Sequence, residues 1–172
     1  MNNPHTGTVA SALRKCQLLL VAIERCEDNA TLERQALEEG ALLQLWRAYK
    51  AFLAEQAHQL QLAVTPESAE DLHRYAAAAQ KVSAEVQELL NLAENPDGWF
   101  AGLQRAWRGL WQSAGSGSGQ IAVSAQSPTV NLIPMTEVKD AAPAPLTRES
   151  LQSWLRALSE LVLRQRAQSV EW

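Results

Sequence analysis

Apolar residues recur along this chain at spacings of three and four, the period of a helix that buries one face. Val9, Leu13, Cys16, Leu20 and Ile23 share such a face and predict a first helix over residues 8–27. Asp28-Asn29 ends it and offers a cap for the next helix. A second pattern covers residues 31–62, with Leu42, Trp46, Tyr49, Leu53 and Leu60 as its stripe and Glu33, Glu38, Glu39, Arg47, Lys50 and Glu55 flanking it. Gly40 lies inside it. Glycine there costs about 1 kcal/mol relative to alanine and predicts a kink or a close helix crossing.

Thr65-Pro66-Glu67 reads as a helix start, with Thr65 as cap and Pro66 in the first helical position. The third pattern then covers residues 66–94. Leu72, Tyr75, Ala79, Val82, Val86, Leu89 and Ala93 form its stripe, and Ala76 to Ala79 make a small-residue patch that admits a neighbouring helix. Asn95-Pro96-Asp97-Gly98 is a turn signature. A short fourth helix over residues 99–113 is unusually aromatic, with Trp99, Phe100, Trp107 and Trp111. The last helix starts at Thr147, its N-cap, with Leu146 and Leu151 placed as a hydrophobic staple. Leu151, Trp154, Leu155, Leu158, Leu161 and Val162 are its buried stripe.

Between the fourth and fifth patterns the periodicity stops. Gly115-Ser116-Gly117-Ser118-Gly119 breaks regular structure, and the Ser-, Ala- and Pro-rich stretch after it reads as a flexible linker with apolar islands at 121–123 and 130–133. The expected fold is all-α: an up-and-down bundle of four long helices plus a short Trp-rich helix. Residues 1–114 hold the first four helices, 115–146 the linker, and 147–172 a last helix that packs back to complete one domain.

Composition narrows the class without naming a function. The 172 residues carry 47% hydrophobic and 20% charged side chains, an ordinary globular balance, and a formal net charge of -4. A mildly acidic chain lacks the basic footprint of a nucleic-acid binder. No apolar run approaches the ~20 residues that span a bilayer, and the first residues lack a secretory pattern, so a cytoplasmic protein is expected. Cys16 and Cys26 fall in one helix, about 15 Å apart at the helical rise, too far for a disulfide. Lys15 and Arg14 could lower the Cys16 pKa, but a buried structural thiol is the favoured reading.

Two constellations carry possible chemistry. Glu55-Gln-Ala-His58 and Glu70-Asp-Leu-His73 are a pair of Glu-x-x-His motifs, the spacing that lines up two ligands on one helix face in di-iron bundles. They define an alternative, a metal-dependent oxidoreductase using Glu55, His58, Glu70 and His73. Against it, Glu55 and His58 lie off the second stripe and Glu70 points away from the third, which places them in solvent. No metal or other cofactor is therefore expected. The second constellation is the fourth helix, where Trp99 and Trp111 border the stripe of Phe100, Leu103, Trp107 and Leu110, beside Arg105 and Arg108. Trp and Arg dominate protein-binding hot spots, so these four residues are the candidate partner surface. Packing of the rings within the bundle and peripheral membrane contact are the competing readings. No nucleophile elbow or phosphate loop is present.

The stretch Glu38-Glu39-Gly40-Ala41-Leu42-Leu43-Gln44-Leu45-Trp46, the start at Leu146-Thr147, the segment Trp154-Leu155-Arg156-Ala157-Leu158 and the closing Val170-Glu171-Trp172 resemble a family of short helical proteins from pseudomonads and related gammaproteobacteria. That family has no assigned activity. The resemblance implies a bacterial cytoplasmic protein and nothing about mechanism. The functional expectation is a non-enzymatic protein-interaction or regulatory module with a protein partner.

Overall fold

A computed structural model of the protein describes residues 3–27, 29–111 and 146–170. Among them are six helices and no strand: α1 (Thr6–Arg25), α2 (Thr31–Gln59), α3 (Ala69–Ala78), α4 (Ala84–Glu94), α5 (Trp99–Trp111) and α6 (Arg148–Val170). The all-α expectation holds. Most of the expected linker, residues 115–145 with both apolar islands, lies outside the described residues.

The bundle is organised around α2. It packs against α1, α3, α5 and α6, and α6 also closes on α1 and α5. A helix with neighbours on several sides cannot keep a single buried stripe. From Phe52 to Ala57 every side chain of α2 is buried, polar Glu55 and Gln56 included. The expectation that Glu55 faces solvent is therefore wrong: it is 1% exposed. α1 keeps the simple pattern and buries Val9, Ala12, Cys16, Leu20 and Ile23.

Gly40 sits beside Leu19 where α2 meets α1, and the helices are not unusually close there. A Cβ there would sit 3.5 Å from the Leu19 side chain, an ordinary van der Waals contact. Gly40→Ala should therefore gain helix propensity without a clash, raising the unfolding free energy by about 1 kcal/mol. Urea denaturation checks this, and a destabilised variant would mean the crossing has no room for a methyl group.

The third sequence pattern is two helices rather than one. α3 ends at Ala79 with Gln80 in the left-handed region at φ 54°. The Gln80 amide donates to Ala77 O (2.9 Å) and the Lys81 amide to Ala76 O (2.9 Å), a complete Schellman cap. Val82 is fully exposed and Ala77 to Ala79 are exposed as well, so neither the stripe nor the small-residue patch runs through this break. Ser83 restarts the chain as α4, its Oγ accepting the Val86 amide at 3.3 Å. α2 ends in the same way, with Gln61 at φ 51° and the Leu62 amide on Ala57 O at 2.9 Å. Lys81 Nζ donates to the Leu60 carbonyl, which ties the two breaks together.

Two expected boundaries shift or hold for local reasons. The N-cap before α3 is Ser68, whose Oγ accepts the Asp71 amide at 3.1 Å, and not Thr65. Pro66 and Glu67 instead form a loop held by Lys50, which donates to Glu67 O at 2.7 Å and pairs with its carboxylate. At α6, Thr147 and Ser150 cap reciprocally: the Ser150 amide donates to Thr147 Oγ1 (3.2 Å) and the Thr147 amide to Ser150 Oγ (3.3 Å). Leu146 and Leu151 both join the core, as a staple requires.

Candidate partner-docking surface

α5 carries its aromatic residues on a firm mount. Phe100 and Leu103 are fully buried and anchor the helix in the core. The Trp107 ring lies flat on Trp46 of α2, centroids 4.9 Å apart and planes within 9°. Trp46 also stacks toward Phe100 at 6.4 Å and tilts onto Tyr49 at 5.5 Å, while Tyr49 meets Phe100 at 4.5 Å. Such pairs add to the area they bury, and here they join α5 to α2. Gly102 lets the other side of α5 approach α6: a Cβ there would lie 3.2 Å from the Trp154 ring.

Trp111 extends this series to the surface. It meets Trp107 edge-on at 5.5 Å yet remains 67% exposed. Arg105 and Arg108 precede it at three-residue spacing, so the three share one helix flank. Both arginines are exposed, and neither has an acidic partner among the described residues. α5 itself contains no Asp or Glu.

Trp99 lies elsewhere. It is half-buried, packs edge-on against Phe100 at 5.6 Å and belongs to the margin of the core. With Leu92 of α4 and Leu161 of α6 it lines a hollow of about 450 Å³ whose rim carries Glu160. Twelve residues of helix separate Trp99 from Trp111, about 18 Å of rise. The four residues picked from sequence therefore do not form one patch. Arg105, Arg108 and Trp111 make a stripe, and Trp99 serves a different hollow.

The Glu-x-x-His residues are not gathered. Among the described residues no group of three or more His, Cys, Asp or Glu is placed to hold a metal ion. Glu55 faces α6, where Arg166 grips both carboxylate oxygens, Nε at 2.8 Å from Oε1 and a terminal nitrogen at 2.7 Å from Oε2. His58 is exposed and meets His5 edge-on at 6.3 Å, Glu70 is exposed, and His73 is partly exposed on α3. The Arg166–Glu55 pair escaped the sequence reading because its members are 111 residues apart. Its one visible signal is that Arg166 follows Val162, a residue of the buried stripe, by four positions and so shares its helix face.

The cysteines are free. Burial pushes the Cys16 thiol up to about 12, so it is no thiolate nucleophile near neutral pH despite Lys15 and Arg14 beside it in sequence. Cys26 borders a second hollow of about 450 Å³ with Arg34, Glu38, Arg148 and Glu149. Burial there holds the Glu38 carboxyl above its ordinary range, with Arg34 opposing and Glu149 adding to the shift. Among the described residues no helix is long and apolar enough to cross a membrane.

No curated protein and no solved structure matches the chain. Residues 6–172 match the family described as "Family of unknown function (DUF6586)", and the chain belongs to that family.

Proposed function

We propose that this is a non-enzymatic interaction or regulatory protein of the bacterial cytoplasm that engages a protein partner through the Arg105, Arg108 and Trp111 flank of α5. The observation that carries the reading is Trp111, a large aromatic ring left 67% exposed on an otherwise well-seated helix. Trp and Arg are enriched among the residues that dominate binding energy at interfaces, and an indole on a rigid support loses little entropy when it is covered. The bacterial and cytoplasmic parts rest on the sequence resemblance alone. A bilayer surface suits the stripe less well. An interfacial helix inserts its whole apolar face, and that of α5 is spent on Phe100 and Leu103 in the core.

The test is affinity capture from cells of the source organism with tagged wild type and Trp111→Ala, followed by Arg105→Ala/Arg108→Ala. Because Trp111 is largely in water, its truncation should cost less than about 1 kcal/mol of stability. The expected result is a partner recovered with wild type and lost from both variants, while their melting transitions stay close to wild type. A partner retained by both variants removes the stripe as the site. A melting transition that collapses with Trp111→Ala identifies the ring as structural.

A further inference from the structure

Resting on that reading, we infer that the occupant of the stripe is a second copy of this chain, docked head to tail through the hollow at Trp99. The stripe and the hollow are complementary features of one molecule. The stripe offers a projecting indole with two cations, Arg105 and Arg108, which have no acidic partner among the described residues. The hollow offers an apolar floor of Leu92, Trp99, Ala157 and Leu161 between α4 and α6. Its rim bears Glu88, Glu160 and Arg164 with the amides of Asn91 and Asn95. Glu88 already pairs with Arg164 and accepts Gln165 Nε2 at 2.8 Å. Glu160 is exposed and pairs with no cation among the described residues. At about 450 Å³ the hollow exceeds the volume of one indole ring.

The two features cannot meet within one copy, since both ride on the same rigid helix about 18 Å apart. Between copies they can, and the contact is heterologous: the stripe of one molecule enters the hollow of the next. Cation and anion would then flank a desolvated aromatic, the arrangement that fixes register and partner choice at interfaces.

Head-to-tail docking has a signature that a symmetric dimer lacks. Arg105→Glu/Arg108→Glu spoils only the stripe, and Glu160→Arg spoils only the hollow. Each variant alone should sediment as a monomer across a dilution series on which wild type associates, with self-affinity reduced at least about tenfold. An equimolar mixture should form a one-to-one dimer, because the intact stripe of the Glu160→Arg protein meets the intact hollow of the other. Circular dichroism of each variant establishes that it is folded. Should one variant fail to fold, Trp111→Ala mixed with Glu160→Arg replaces the pair. Wild type that stays monomeric at the highest concentration reached overturns the inference, as does association that Glu160→Arg leaves unchanged. Either result leaves the docking stripe itself standing if affinity capture still loses its partner with Trp111→Ala, so the two ideas fail separately.

Discussion

Arg166→Ala is expected to lower the unfolding free energy by about 3 kcal/mol, toward the lower end of the range for breaking a buried ion pair. The loss comes less from the missing attraction than from what remains. Glu55 has a side chain only 2% exposed, and without Arg166 its charge stays buried with neither oxygen paired to a cation. Arg166 itself is 26% exposed, so water can reach part of the vacated space and soften the penalty. The guanidinium also donates to Thr6 O at 3.5 Å, so one side chain holds α1, α2 and α6 together. Urea denaturation of Arg166→Ala and of the double variant Arg166→Met/Glu55→Met separates the effects. The double variant should recover most of the loss, because apolar residues of similar size replace a buried pair at little cost. A single variant within 0.5 kcal/mol of wild type (roughly the noise of surface substitutions) would mean that the pair carries no weight.

Phe100→Ala is expected to cost about 3 to 5 kcal/mol, the range for truncating a fully buried aromatic. Phe100 is 0% exposed and touches the rings of Trp46, Tyr49 and Trp99. Its loss leaves a cavity and removes the central member of the aromatic contacts between α2 and α5. The near-ultraviolet circular dichroism of the stacked Trp46 and Trp107 should weaken in the same variant, since their mount loosens. Phe100→Leu refills most of the volume and should cost clearly less. Equal losses for the two would show that ring contacts, and not volume, set the cost.

Much of the architecture was legible because burial follows periodicity wherever a helix has one buried side. α1 is the clean case, and Val9, Cys16, Leu20 and Ile23 all lie where the three-four spacing puts them. Thr147 was legible because capping is local chemistry, decided within a few residues. α2 was legible only in part: Leu42, Tyr49 and Leu53 are buried as the spacing requires, but the stripe rule assumes one neighbouring surface and α2 has several. The additional surfaces put Glu55 in the interior, off the stripe, against Arg166 of α6. The break at Gln80 was hidden for a different reason. A Schellman cap usually announces itself with glycine, and here glutamine occupies the left-handed position at both Gln61 and Gln80. For the candidate surface, Trp99, Trp111, Arg105 and Arg108 and their spacing along one helix were legible, but not that Trp99 is half-buried while Trp111 stands exposed. Trp46 as the seat of Trp107, and Gly102 as the opening for Trp154, depend on helices that meet only in three dimensions.

The Arg166 clasp also bears on how the protein is made. α1 and α2 adjoin in sequence and can dock on each other while translation continues, as local contacts favour. Glu55 then waits, because its counter-charge is synthesised 111 residues later. Until α6 emerges, the carboxylate has no Arg166 to pair with and burying it is costly. Burial of that face of α2 is therefore coupled to completion of α6, the last helix to leave the ribosome.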